Sequence, residues 1–208
     1  MTDDSKPRAQ RVDARRNREL VLDVARTVFA EQGTDASLRD IARRAGVGMG
    51  TFYRHFPTRD ALLEAVLRHG FDTLAARAGA LAQSPAPDEA LTAWLRDFTA
   101  GTTIYTGLPA SLVATLTDEE SALHASCLSM RQAGGRLLTR AQEAGHIRPD
   151  VTATDLFALI SALGWVTGQA PTIGARREQL FGVLMDGLAG PGARPEGAGP
   201  LGSGREAG

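Results

Sequence analysis

Residues 37–56 read SLRDIARRAGVGMGTFYRHF, and this stretch decides the fold. Ser37, followed three places on by Asp40, has the form of a capping box with the shorter acid, so a helix starts there. Leu38, Ile41, Ala42 and Ala45 recur at three- and four-residue spacing and mark one inward face. Gly46 supplies a turn where a Cβ is strained, and Val47 anchors it with an apolar side chain. Residues 49–55 form a second short helix, with Phe52 and Phe56 turned to the core. The pattern is a helix-turn-helix: one helix braces, and the other exposes a side that fits the major groove of a duplex.

Upstream, residues 15–32 show helical spacing, with Val21, Ala25, Val28 and Phe29 on one stripe and Gly33 placed to stop the helix. Residues 1–14 are polar and read as a flexible basic arm carrying Lys6, Arg8 and Arg11. Downstream, Pro57 resets the chain, Thr58 suits an N-cap and Asp60 suits the positive end of a helix over 61–81. A linker follows at 84–87. Further helices are predicted at about 88–105, 109–116, 117–144, 152–169 and 174–188. No run has a strand period, and there is no internal repeat. Residues 190–208 hold seven Gly and three Pro and are expected to be disordered. The expected fold is all-α: a helix-turn-helix domain at 15–59, then a helical domain at 60–189.

The net charge of −1 does not point to nucleic acid, but its distribution does. Residues 5–59 carry twelve Lys or Arg against six Asp or Glu; residues 61–208 carry eleven against fifteen. A cationic first quarter is an electrostatic footprint for phosphate. A plain solvated imbalance gives the same totals, so charge alone does not decide. Cys127 is the only cysteine, which leaves no intrachain disulfide and no cysteine zinc cluster. His55, His69, His124 and His146 are dispersed, without metal-ligand spacing, so no metal or cofactor is expected. No apolar stretch is long enough for a bilayer, and no signal segment is evident, so a cytoplasmic protein without membrane contact is expected.

Taken together, Val21-Leu22, Ala25, Phe29 and Gly33, then Leu38, Ile41-Ala42 and Ala45-Gly46-Val47, then Thr51 through Phe56, then Arg59 and Ala61-Leu62, resemble the N-terminal domain of the TetR (tetracycline-repressor-type) family of bacterial transcriptional regulators. The resemblance covers about the first third of the chain. The remainder resembles the family only in layout, a helical ligand-binding and dimerisation domain. The resemblance implies a homodimer on a palindromic double-stranded operator, released by a small-molecule effector. It implies DNA contacts from Ser37, Arg39, Met49, Gly50, Thr51, Tyr53, Arg54, His55 and Arg59. By chemistry, Ser37, Tyr53, His55 and Arg59 position the module on the backbone, and Arg39, Met49, Gly50 and Thr51 choose sequence.

In the larger domain, aromatic and small polar groups suggest an apolar cavity with a few polar handles. The candidates are Phe71, Trp94, Phe98, Thr102, Tyr105, Cys127, Met130, Arg131 and Trp165, with His124 and Gln169 nearby; ordinary core packing competes for each aromatic. Leu156, Leu159, Ile160 and Leu163 leave one late helix apolar on much of its circumference, and Leu180 and Leu184 stripe the next. These six are the expected dimer interface. His124 and Cys127, three apart, fit a nucleophile and base, a structural cysteine or a redox switch; no third orienting group is evident. Two other readings stand beside the regulator. One is a sequence-tolerant chromosomal DNA-binding protein without an effector. The other is an enzyme on a borrowed fold, for which no converging catalytic set is visible.

Overall fold

Glycine and cap chemistry punctuate the chain where the sequence demands it. The computed structural model describes residues 6–101, 108–169 and 171–190. They form α1 (Lys6–Gln32), α2 (Leu38–Arg44), α3 (Met49–His55), α4 (Arg59–Leu81), α5 (Pro87–Gly101), α6 (Ala110–Thr117), α7 (Ala122–Glu143), α8 (Ala153–Gln169), α9 (Pro171–Gly174) and α10 (Arg177–Leu188). Gly33, Gly46 and Gly145 adopt φ of 82°, 66° and 77°, each just beyond a helix end. This left-handed region costs glycine least, which is why these helices stop there. Ser37, Thr58 and Ser121 cap α2, α4 and α7, their side chains accepting from the third amide onward.

Several boundaries differ from the sequence expectation. Helix α1 begins at Lys6, so the arm expected over 1–14 is helical from there on; residues 6–18 contain no glycine and are rich in Arg, a good helix former. The long helix expected over 117–144 instead begins at Ala122, because Asp118 leaves the helical region as the C-cap of α6 and Ser121 restarts the chain. The last predicted helix, expected over 174–188, begins at Arg177 as α10, and a separate short turn, α9, stands before it at Pro171–Gly174. Residues 102–107, and the tail from 191 on, lie outside the described residues.

Helices α1, α2 and α3 pack around Phe29, Ile41, Phe52 and Phe56, all at most 2% exposed. Helix α4 joins this small unit to the larger one. It packs on α1 and also on α5, α6 and α7, and buries Leu62, Leu63, Val66, Phe71 and Ala78 along its length. The larger unit layers α4, α5, α7 and α8 around Trp94, which is fully buried. The Trp94 indole donates Nε1–H to the Leu74 carbonyl at 2.8 Å, satisfying the polar handle that a buried Trp carries. Its ring stacks on Phe98, with centroids 5.6 Å apart. The buried hydroxyls of Thr99 and Thr167 donate to carbonyls four residues back, at 2.7 and 2.8 Å. The end of α10 is pinned by Gly190 N–H to the His146 carbonyl (2.8 Å) and Arg148 N–H to the Leu188 carbonyl (3.0 Å).

Trp94 reaches this position because α7 offers it a glycine. A Cβ on Gly134 would lie 2.4 Å from the Trp94 ring. The Gly134→Ala variant is expected to lose about 1–3 kcal/mol through overpacking, read as a lower urea midpoint. An unchanged midpoint would mean that the indole can swing aside at no cost.

Candidate DNA-binding surface and ligand cavity

The candidate DNA-binding surface is built on a short, tightly braced α2. Ser37 Oγ accepts from the Asp40 amide at 3.4 Å, and Ile41 and Ala42 are buried beneath. The Arg43 guanidinium hydrogen-bonds the Asp40 carboxylate, and with Arg44 beside it holds that carboxyl below its usual range. The carboxylate therefore keeps this brace at neutral pH. The brace is lost only as pH falls through the lowered value and Asp40 protonates. Arg44 also reaches Glu31 of α1 at 3.0 Å and Asp40 at 2.9 Å, so it ties α2 to α1.

Between α2 and α3, the Gly46 and Val47 amides return to the Arg43 and Ala42 carbonyls at 3.1 and 2.9 Å, which closes the turn. Helix α3 then buries only Phe52. Phe56 follows beneath it, with ring centroids 5.7 Å apart. Gly50, Tyr53 and Arg54 are exposed, and Met49, Thr51 and His55 are half-buried beside them. Ser37 and Arg39 are exposed at the start of α2. Eight of the nine expected DNA contacts therefore lie on the exposed or half-exposed side of α2 and α3. In the free chain Arg54 folds back on its own helix, donating to the Gly50 carbonyl at 3.1 Å and the Thr51 hydroxyl at 3.3 Å.

Arg59 departs from the expectation of a phosphate contact. Its Nη1 donates to the Thr34 and Ala36 carbonyls, both at 2.7 Å, from a half-buried position. A planar guanidinium with several donors can satisfy two turn carbonyls together, and here it fastens α4 to the loop before α2. Nothing in the local sequence distinguishes this use of an arginine from a surface cation.

In the larger unit a cavity of about 440 Å³ opens between α4, α5, α6, α7 and α8. Six of the nine expected ligand-site residues line it: Phe71, Phe98, Cys127, Met130, Arg131 and Trp165. Trp94 does not. It stands behind the wall as core, because its stacking on Phe98 and its bond to Leu74 use both its face and its N–H. Thr102 and Tyr105 lie outside the described residues, as does the Gln169 side chain. Sequence reasoning missed Leu116, Thr154, Phe157, Ala158 and Ser161. Four of these are on α8, where spacings of three and four residues from Thr154 to Trp165 give a stripe distinct from the buried one.

His124 is held by α6, its Nδ1 donating to the Leu116 carbonyl at 3.0 Å. Burial pushes the Cys127 thiol up, partly offset by the charge of Arg131. A thiol held protonated is a weak nucleophile, so the pair does not have the character of a catalytic dyad.

Three of the six residues expected at a dimer interface belong to the chain's own core. Leu156, Ile160 and Leu163 are 1%, 0% and 8% exposed. Their period faces α5 and α7, so one helix carries two apolar stripes and the sequence does not say which is inside. Leu159 is 46% exposed, and Leu180 and Leu184 are half-buried. Val183, on the same late stripe, is the outward apolar residue here, at 64% exposed.

Comparison with known proteins agrees with this layout. The family model for bacterial regulatory proteins of the tetR family matches residues 21–66, and that for the C-terminal domain of SbtR-like transcriptional regulators matches residues 86–190. The chain belongs to the TetR family. As a TetR-family protein it is a DNA-binding transcriptional regulator. It is similar to the crystal structure of the TetR transcriptional regulator SCO0520 from Streptomyces coelicolor, with a TM-score of 0.70 and 37% identity, covering 84% of this chain and 99% of that one. It is also similar to a TetR regulatory protein from Mycobacterium vanbaalenii, with a TM-score of 0.65 and 36% identity, covering 86% and 99%. The HTH-type transcriptional repressor KstR2 of Rhodococcus jostii is 28% identical over 82% of this chain and 90% of its own length. These relatives are regulators rather than enzymes. Among the described residues no helix is long and apolar enough to cross a membrane.

Proposed function

We propose that this TetR-family regulator is a repressor that binds a palindromic operator as a homodimer and leaves it when a small molecule enters the α4–α8 cavity. The observation that carries this reading is the position of α6. Leu116 of α6 lines the cavity, and Ser111 of the same helix donates its hydroxyl to Asp60 Oδ2 at 2.8 Å. Asp60 lies in the first turn of α4, five residues after the end of α3. A ligand that displaces Leu116 moves the helix that holds the start of α4, and so the seating of α3. A coupling free energy of about 1–3 kcal/mol between the two sites is enough to change operator affinity 5- to 150-fold.

Two further points support the reading. The exposed apolar residues Leu159 and Val183, on the outer sides of α8 and α10, offer a self-complementary face. Pairing through that face sets two copies of α3 on half-sites of a symmetric duplex. The regulator KstR2, similar along most of this chain, is named a repressor.

The test is a gel shift of the full chain with the DNA upstream of its own gene against scrambled DNA, in a salt series. The expected result is about 10³-fold or greater preference for one site, with both complexes weakening as salt rises. Equal affinity for both duplexes would instead make this a sequence-tolerant chromosomal protein.

A further inference from the structure

The charge and shape of the cavity narrow the class of molecule it takes. This step rests on the cavity being the effector site. We infer that the cavity selects an elongated amphipathic monoanion: an apolar body ending in one carboxylate-like head group held by Arg131.

Among the described residues the lining contains a single formal charge. Of the described lining residues only Arg131 and the Cys127 thiol are ionisable, and none is Asp or Glu. Five arginines elsewhere are neutralised by carboxylates, while Arg54 and Arg59 bond backbone carbonyls. Arg43, Arg44, Arg77, Arg96 and Arg148 each have a carboxylate within 3.4 Å. Arg131 has none among the described residues. Its guanidinium lies over the Phe157 ring, 5.5 Å from the centroid, and its Nη2 is 3.5 Å from the Thr154 hydroxyl. Stacking on a ring fixes the plane of the guanidinium and leaves its edge donors for an anion, the geometry in which Arg meets a carboxylate with two parallel bonds.

The remaining wall is apolar and extends away from that cation. Thr154, Ala158, Ser161 and Trp165 run along one side of α8, a length of about 16 Å at 1.5 Å per residue. The polar end is at Thr154, and Trp165, 56% exposed, lines the other end. A cationic amphiphile has no acid to meet here. A molecule carrying several phosphates needs more positive charge than one guanidinium supplies.

The experiment uses the full chain and three probes below their micelle concentrations: dodecanoate, dodecan-1-ol and dodecyltrimethylammonium. Binding is read by calorimetry and by tryptophan emission, in the intact protein and in the variants Arg131→Gln and Ala158→Phe. Because Arg131 is solvent-accessible, the head-group preference is modest: dodecanoate is expected to bind about tenfold more tightly than the alcohol, and the ammonium weakest. Arg131→Gln should abolish that preference while leaving alcohol affinity unchanged, and Ala158→Phe should weaken acid and alcohol alike. Equal binding of acid and alcohol by the intact protein, or a preference that survives Arg131→Gln, would overturn the anion assignment and leave the cavity as an apolar ligand site. Failure of every probe to bind, or binding indifferent to Ala158→Phe, would overturn the cavity reading and the assignment with it.

Discussion

The double variant Leu159→Glu, Val183→Glu is expected to be a folded monomer whose operator affinity has fallen about 100-fold or more, because linked half-sites multiply affinity and separated ones do not. Both side chains are about half exposed or more in the single chain, so charging them removes little from the protomer's own core. Each protomer of a twofold pair would place two carboxylates in a shared apolar seam, four in all, a desolvation cost that association cannot offset. Light scattering should report one protomer at concentrations where the parent protein is paired, with the helical circular-dichroism signal unchanged. A variant that still pairs and still binds its operator would show that the twofold surface lies elsewhere. The burial pattern also explains why Leu163→Glu is unsuitable for this test. At 8% exposed, Leu163 would carry a charge into the protomer core and unfold it, confounding association with stability.

The second large effect is expected at Phe52→Ala. Phe52 is fully buried beneath α3, edge-on to Tyr53 at 5.9 Å and against Phe56. Truncating a buried Phe to Ala typically costs about 3–5 kcal/mol. Helix α3 has seven residues and no side-chain N-cap hydrogen bond, so little besides this contact holds it in place. Isolated helices of that length are not stable in water. The variant should therefore lose operator binding while α7 stays folded, since Trp94 packs on Phe98 and Phe157 rather than on Phe52, at the far end of the core that α4 runs through. Hydrogen exchange over α2 and α3 would show the loss directly, with protection gone there and retained in α7. Operator affinity within a few-fold of the parent would mean that α3 is positioned by something other than Phe52.

The two halves of the chain were legible to different degrees. In the helix-turn-helix, cap, glycine and inward face are all local, so spacing alone orders α2, turn and α3, and the exposed side of α3 follows by subtraction. Arg59 is the exception. Its partners Thr34 and Ala36 lie more than twenty residues away, and only the folded loop shows that its guanidinium is engaged inward. In the larger domain the sequence pointed to the aromatic wall but assigned Trp94 to the cavity. The glycine that lets the indole through, Gly134, is forty residues distant.

The sequence by itself determined an all-helical chain, a helix-turn-helix at 37–56 and a mixed apolar and polar middle. These follow from period, caps and turn chemistry, which act over a few residues. Tertiary structure decided which apolar stripe of α8 is core and which faces outward, and it brought Leu116, Arg131 and Phe157 around one cavity. It also joined Ser111 to Asp60. Those outcomes depend on how helices far apart in the chain lie against one another, and a helix with several apolar faces carries no local mark of which neighbour each will meet.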